Sequence, residues 1–119
     1  MSDGGSARGL PTISAREALG RVTTNDVVLV DVREQYEWDA GHSPRARSLP
    51  MSELNVRLSE LPHSQTLAVV CHAGSRSARV ASALIEAGYD ATNVEGGMLA
   101  WVEAGGEIVS EGPGEPTVD

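Results

Sequence analysis

The chain is poor in aromatic residues and has only one cysteine. Its 119 residues include no phenylalanine, and its aromatic residues are two tyrosines and two tryptophans. The core must therefore consist mainly of aliphatic side chains, and the 40% of the chain that is apolar suffices for one core. A single cysteine excludes an internal disulfide, so a disulfide-stapled secreted scaffold is excluded and a reducing compartment, the cytoplasm, is expected.

Basic residues and long apolar runs are also scarce. Nine Lys and Arg residues stand against 17 Asp and Glu residues, which gives a formal net charge of −8. Nucleic acids and anionic lipid surfaces require clustered basic residues, so neither is an expected partner. No apolar run approaches the ~20 residues of a membrane span, and the first ten residues lack the apolar stretch of a signal peptide. We therefore expect a cytoplasmic protein and, since no apolar surface stripe is evident, a monomer.

The order of sequence patterns predicts one α/β domain. Residues 1–10 are polar and Gly-rich and are expected to form a flexible arm. Residues 107–119 are rich in Gly, Pro and acidic residues and are expected to be disordered or to lie along the surface. Between them, in residues 11–106, five strand patterns alternate with helix patterns, and two runs, 26–32 and 66–71, are apolar enough to be buried on both faces. This alternation is typical of a mainly parallel sheet covered by helices.

Capping residues mark the expected helix ends. Ser14 is placed to cap a helix that begins at residue 15, and Gly41 and Gly88 are placed to end the helices that precede them. Ser52 is predicted to cap a further helix that Pro62 ends.

The segment after the second central strand has the features of an anion site. Cys71 ends the strand, a short loop follows, and a helix begins around residues 75–77; the residues concerned are His72, Ala73, Gly74, Ser75, Arg76 and Ser77. A tight loop that enters a helix N-terminus directs backbone N–H groups and the positive end of the helix dipole inward. These donors would stabilise a thiolate and lower the pKa of Cys71 below ~8.5. The alternative is an inert buried cysteine, which is common at strand ends.

Four landmarks in order resemble the single-domain rhodanese family. They are "DVRE" after a strand, "YEWDAGH" followed by a proline, the loop "CHAGSRS", and "GGMLAW" near the end. The resemblance covers roughly residues 12–105. It implies a small α/β sheet with helices on both faces, which agrees with the fold predicted from the patterns.

The resemblance also implies a chemistry, in which the loop cysteine carries sulfane sulfur as a persulfide. Cys71 would take sulfur from thiosulfate or another small anionic donor and pass it to a thiol or to cyanide. The N–H groups of residues 72–77 would cradle the persulfide, while Arg76, with His72 as a second candidate, would attract the donor. Asp31 and Arg33 would support the site, mainly as a structural ion pair, for which Arg33 with Glu37 is one arrangement. No cofactor is implied.

Other functions remain open at this stage. The domain could be a docking or regulatory module without activity, or a relay that receives persulfide sulfur from a partner protein. Since the chain has no second cysteine, an external acceptor would have to remove the sulfur. The related phosphatases place five residues between the cysteine and the arginine, whereas four stand between Cys71 and Arg76 here. The shorter loop suits a sulfur atom better than a phosphate group.

The remaining polar and aromatic residues are assigned structural roles. His42 is expected to hydrogen-bond to backbone in a turn, and Trp101 to pack the last helix onto the sheet. Arg45 and Arg47 either add positive charge beside the site or lie on the surface without a role in it. The three histidines and the cysteine do not have metal-ligand spacing, so no metal is expected.

Overall fold

The computed structural model describes residues 9–118, so residues 1–8 of the predicted N-terminal arm and Asp119 lie outside the described part. The strands are β1 (Thr12–Ile13), β2 (Val27–Asp31), β3 (Arg47–Ser48), β4 (Thr66–Val70) and β5 (Ala91–Val94). The helices are α1 (Ala15–Thr23), α2 (Gln35–Ala40), α3 (Leu54–Arg57), α4 (Ser75–Glu86) and α5 (Gly97–Glu103). Short 3₁₀ turns, Met51–Glu53 and Leu58–Glu60, flank α3.

The strands form one five-stranded sheet in the order β1-β5-β4-β2-β3. Every strand pair in it is parallel, with Val30 beside Val69 and Val69 beside Asn93 across the three inner strands. Helices cover both faces, so the predicted parallel α/β sheet is confirmed. Because successive side chains of a strand point to opposite faces, each inner strand contributes to two cores.

The two cores correspond to the two helical layers. On one face, α1 and α5 cover Leu29 and Val70 of the sheet. Trp101 of α5 packs in this core and is 1% exposed. On the other face, α4 and the segment around α3 cover Val30, Val69 and Cys71. The expected packing role of Trp101 is confirmed.

Two predicted helix ends are confirmed and one cap is wrong. The Ser14 hydroxyl accepts a hydrogen bond from the Glu17 N–H at 3.0 Å, and α2 ends at Gly41. Ser52, by contrast, does not cap a helix, because it lies inside a 3₁₀ turn and its hydroxyl donates to the Glu34 carboxylate at 2.8 Å. The predicted continuous helix there is a single α-helical turn between two 3₁₀ turns.

The C-terminal segment lies along the surface beside the end of α2. His42 and Val109 exchange two backbone hydrogen bonds of 2.9 and 2.8 Å, and the Thr117 N–H donates to the Ala40 carbonyl at 2.9 Å. Val118 is 8% exposed. None of the helices between residues 9 and 118 is long and apolar enough to cross a membrane.

Candidate functional site

The site lies where the sheet changes its winding direction. From β2 the chain moves to one side of the sheet, to β3, and from β4 it moves to the other side, to β5. The carboxyl ends of β2 and β4 therefore border the crevice in which open α/β sheets bind ligands. Cys71 follows β4 directly, and Arg33 follows β2 by two residues.

Cys71 is buried, but its sulfur faces hydrogen-bond donors. It continues the alternation of β4 toward the α4 face and is 1% exposed. The Gly74 N–H donates to its Sγ at 3.1 Å, and the Ser77 Oγ lies 3.3 Å from the same atom. The burial of Cys71 agrees with the alternative of an inert core cysteine, but the sulfur also has an N–H and an O–H group beside it.

These donors lower the pKa of the thiol. Burial by itself raises the pKa of Cys71, because it disfavours the charged form. Hydrogen bonds from the Ser77 hydroxyl and from the N–H groups of Ser77, Gly74 and Ala73 outweigh burial, so the pKa lies below its ordinary value. The direction is the one that the loop pattern predicts.

Local backbone geometry explains why the N–H groups converge. Gly74 precedes α4 in the left-handed region, at φ 113°, which is a conformation that glycine adopts without steric strain. The turn at Gly74 brings the first turn of α4 under the sulfur. N–H groups in a first helical turn have no acceptor within the helix, so those of α4 are free to bind the sulfur.

The first turn of α5 holds the loop from the other side. The Met98 N–H donates to the Cys71 carbonyl at 2.8 Å, and the Leu99 N–H donates to the His72 carbonyl at 3.2 Å. Gly97 makes this contact possible, because a Cβ atom at residue 97 would overlap the carbonyls of Cys71 and His72. Sequence reasoning took the glycine pair at residues 96 and 97 as part of a family landmark and missed its contact with the loop.

Asp31 and Arg33 form a buried ion pair that supports the site. Each side chain is 1% exposed, and the Arg33 Nη2 donates to Asp31 Oδ2 at 2.7 Å and to the Gly41 carbonyl at 2.7 Å. The pair therefore joins the end of β2 to the end of α2. The suggested ion pair between Arg33 and Glu37 is wrong, because Arg33 reaches only the Glu37 backbone carbonyl, at 3.4 Å.

The Glu37 carboxylate instead binds Arg76 at the rim. Two hydrogen bonds, of 2.7 and 2.9 Å, join the Arg76 guanidinium to the two carboxylate oxygens. The hydrogen bonds raise the pKa of Arg76, and the bond to Arg76 holds the pKa of Glu37 below its usual range. The Arg76 side chain is 32% exposed, so it lies where a solute can reach it, but a carboxylate already faces it.

A family comparison agrees with this geometry. The model of the rhodanese-like domain matches residues 14–104. The chain belongs to the rhodanese-like domain family. A sulfurtransferase of Allochromatium vinosum is 38% identical over 88 residues, which cover 73% of this chain and 82% of the relative. The thiosulfate sulfurtransferase GlpE of Pseudoalteromonas translucida is 33% identical over 98 residues, covering 82% and 93% of the two chains.

One relative is much longer than this rhodanese-like chain. The probable adenylyltransferase/sulfurtransferase MoeZ of Mycobacterium tuberculosis is 38% identical over 80 residues, but only 20% of it is covered. Among solved structures, a rhodanese-related protein of Thermoplasma volcanium has a TM-score of 0.77 at 30% identity, with 83% of this chain and 97% of that chain covered. A rhodanese-like domain protein of Staphylococcus aureus has a TM-score of 0.73 at 35% identity, with 77% and 91% covered.

The rhodanese-like loop residues have unequal positions around the sulfur. Gly74, Ser77 and the Ala73 N–H face the sulfur, whereas the Ser75 side chain is exposed. The carbonyl of His72 binds α5, and its side chain is half-buried. Among residues 9–118, no three His, Cys, Asp or Glu side chains come together in a group that could hold a metal ion.

Three other predicted residues lie apart from the loop. His42 stacks on Trp38, with ring centres 3.7 Å apart, and its Nδ1 is 2.8 Å from the Trp38 carbonyl oxygen, so its expected bond to backbone is confirmed. Arg45 and Arg47 line a surface pocket with Asn25 and Gln65, beside the start of β2.

Sequence reasoning also missed Asn93, which contacts the site from β5. Its Oδ1 lies 2.6 Å from the Ser77 Oγ, and the residue is 7% exposed. The signal was available, because a carboxamide in a short buried strand needs a hydrogen-bond partner.

Proposed function

We propose that this rhodanese-like chain is a sulfurtransferase that carries sulfane sulfur as a persulfide on Cys71. The observation that supports this most directly is the cluster of donors at the sulfur, which includes the Gly74 N–H at 3.1 Å and lowers the thiol pKa. A thiolate at neutral pH is the form of cysteine that attacks another sulfur. The curated relatives named sulfurtransferases support the same reaction class.

The proposed reaction consists of two nucleophilic displacements at sulfur. The Cys71 thiolate attacks the outer sulfur of thiosulfate, the S–S bond of thiosulfate breaks, and sulfite leaves with the bonding electron pair. The product is an anionic persulfide on Cys71. An acceptor then attacks the outer sulfur and releases the thiolate; with cyanide the product is thiocyanate. The protein is restored after each cycle, so the kinetics are of the ping-pong type.

The same donors serve the nucleophile and the intermediate. A persulfide places its negative charge on the outer sulfur, one bond further from Cα than the thiol sulfur. The N–H groups of the loop and the first turn of α4 are held by the fold in a position to bind an anion there, beside a cysteine that is shielded from solvent. Because Cys71 is 1% exposed, a donor must present a projecting sulfur atom rather than a broad face.

Arg76 is proposed to attract the anionic donor. Its two bonds to Glu37 use two of the five N–H groups of a guanidinium, which leaves others for a donor such as thiosulfate. Glu37 would then compete with the donor for the same positive charge. Asp31 and Arg33 act in this scheme as support and do not contact the reacting sulfur.

A mass measurement and a turnover assay together test the proposal. Incubation with thiosulfate should add one sulfur atom to the wild-type chain, and cyanide should remove it with formation of thiocyanate. The variant Cys71→Ser should remain unmodified and should show no turnover. If the wild-type chain gains no sulfur from thiosulfate or from a persulfide donor, Cys71 is not a sulfur carrier. Sulfur uptake only from a protein persulfide would instead favour a relay.

A further inference from the structure

Asn93 is a polar residue in the interior of a parallel sheet. It lies on β5, beside Val69 of the central strand, and shares a face with Ala91, which packs in the core under α4. An amide side chain costs stability at such a position unless it is hydrogen-bonded, and an apolar residue would fill the position more simply. Its side chain is hydrogen-bonded to the Ser77 hydroxyl, with Oδ1 2.6 Å from Oγ.

The Ser77 hydroxyl has one proton and three neighbours that can accept it. Its Oγ lies 2.6 Å from Asn93 Oδ1, 3.2 Å from the Gly74 carbonyl oxygen and 3.3 Å from the Cys71 Sγ. A hydroxyl donates only one hydrogen bond at a time, so these contacts compete. With its proton directed at Asn93, Ser77 offers the sulfur only lone pairs, which suits a thiol S–H and not a thiolate.

We propose that Asn93 is a positioning residue for Cys71, which sets the direction of the Ser77 proton and turns its carboxamide when the thiol ionises. In the thiol state Ser77 donates to Asn93 Oδ1, which at 2.6 Å is the nearest of its three acceptors. In the thiolate state Ser77 donates to the sulfur, and two oxygens 2.6 Å apart would then face each other without a proton between them. A half-turn of the carboxamide replaces its oxygen by Nδ2, which donates to Ser77.

The result is a chain of donors from Asn93 through Ser77 to the sulfur. Donors in such a chain polarise one another and strengthen the last bond, here the bond to the thiolate. The proton that leaves the thiol passes to solvent base, and no other covalent bond changes. Arg76 is a charged group whose field reaches the sulfur, and its bonds to Glu37 do not involve the carboxamide. The inference rests on the proposed role of Cys71 as a thiolate nucleophile.

A double-mutant cycle in the full chain tests this role. The rate of alkylation by iodoacetamide against pH gives the pKa of Cys71 in the wild type, in Asn93→Leu, in Ser77→Ala and in the double variant. Asn93→Leu should raise the pKa by about half a unit to one unit, since the thiolate loses the end of its donor chain. The thiol state loses less, because Ser77 can donate to the Gly74 carbonyl instead. In the Ser77→Ala background, Asn93→Leu should leave the pKa unchanged.

Three results of this cycle would overturn the proposal. The first is an unchanged pKa of Cys71 in Asn93→Leu. The second is a lowered pKa of Cys71, which would show that Asn93 only draws the Ser77 proton away from the sulfur. The third is an equal shift caused by Asn93→Leu in the wild-type and Ser77→Ala chains. Leucine has the same branching and number of heavy atoms as asparagine, and circular dichroism of each variant verifies the fold before titration.

A second measurement needs no change at Asn93. In ¹⁵N-labelled wild-type protein, the side-chain amide resonances of Asn93 should shift with pH at the midpoint found by alkylation of Cys71. They should not shift over that range in Cys71→Ser. Resonances that stay constant through the ionisation of Cys71 would contradict the half-turn. Both measurements follow the ionisation of Cys71 and not sulfur transfer, so a failure of this inference can be told apart from a failure of the proposed function.

Discussion

Two helices, α4 and α5, begin at left-handed glycines and use their first N–H groups in different ways. Gly74 precedes α4 at φ 113°, and Gly96 precedes α5 at φ 78°. The N–H groups at the start of α4 face the Cys71 sulfur. Those at the start of α5 bind the carbonyls of Cys71 and His72. The same local structure surrounds the Cys71 sulfur with donors in one place and holds the loop that carries this sulfur in the other.

The second helix matters because the peptide group is planar. In a trans peptide the C=O and N–H groups point in opposite directions, so fixing one fixes the other. The His72 carbonyl accepts from the Leu99 N–H at 3.2 Å, and the N–H of the same peptide, that of Ala73, faces the sulfur. The donors at Cys71 therefore depend on α5 as well as on α4. A helix N-terminus forms an anion site only where the rest of the fold aims its free donors.

Gly97→Ala should cause the largest loss of stability, because it disrupts the contact between α5 and the loop. Gly97 has φ 59°, and a Cβ there would overlap the carbonyls of Cys71 and His72. Backbone strain and overpacking together should cost about 2–4 kcal/mol of unfolding free energy. Urea denaturation measures this loss. The pKa of Cys71 should rise as well, because the loop must shift to admit the methyl group.

Gly88→Ala is the matched control for that change. Gly88 also has a positive φ, of 94°, but nothing lies within 4 Å of the added Cβ. Only the backbone strain should remain, at about 1 kcal/mol, with the pKa of Cys71 unaffected. Equal losses in the two variants would show that the contact between α5 and the loop contributes no stability.

The ionisation of Cys71, beside the start of α4, should have the next largest effect on the free energy of unfolding. In the folded chain the pKa of Cys71 lies below its ordinary value. The folded state therefore holds a thiolate at pH values where the unfolded chain still holds a thiol. The stability that this contributes rises as the pH climbs from the folded-state pKa toward ~8.5 and is lost as the pH falls through the folded-state pKa. Each unit by which folding lowers the pKa of Cys71 adds about 1.4 kcal/mol to the free energy of unfolding at high pH.

The difference in unfolding free energy between wild type and Cys71→Ser isolates this contribution. Groups such as Glu37 titrate in both chains and cancel. The difference should increase with pH in urea titrations under reducing conditions. A difference that stays constant, or falls with rising pH, would mean that the donors around the sulfur do not stabilise the thiolate.

The sheet and the loop could be predicted from sequence because they depend on local patterns. Mostly apolar runs at residues 26–32 and 66–71 identify the inner parallel strands, and the glycine before α4 identifies the loop. The segment around α3 was mispredicted because Ser52 has the chemistry of a cap. Its actual partner, Glu34, is 18 residues away in sequence and adjacent only in the fold.

The contacts between distant segments could not be predicted for the same reason. The bond from Arg76 to Glu37 crosses 39 residues, and the bond from Ser77 to Asn93 crosses 16. Arg33 and Glu37 stand one helical turn apart in sequence, which made their pairing the natural local expectation. Arg33 instead pairs with Asp31, two residues away, while Glu37 pairs with Arg76. The partner of Glu37 is thus set by the tertiary fold, which brings the start of α4 to α2.

Glu37→Gln should have the smallest free-energy effect of these changes. It tests how strongly the ion pair between Glu37 and Arg76 limits the binding of an anionic donor near the sulfur. Glutamine keeps the size of the side chain but removes the charge that faces Arg76, so Arg76 is freed for an anionic donor. Partly exposed ion pairs are worth about 0.2–1 kcal/mol, so KM for thiosulfate should fall by roughly 1.5- to 5-fold while kcat stays nearly constant. Added salt should shrink the difference, because it screens the competing charge. Glu60→Gln is the control, since it removes an equivalent partner from Arg57 in the α3 segment. A higher KM in Glu37→Gln would show that Glu37 positions Arg76 for the donor and does not compete with it.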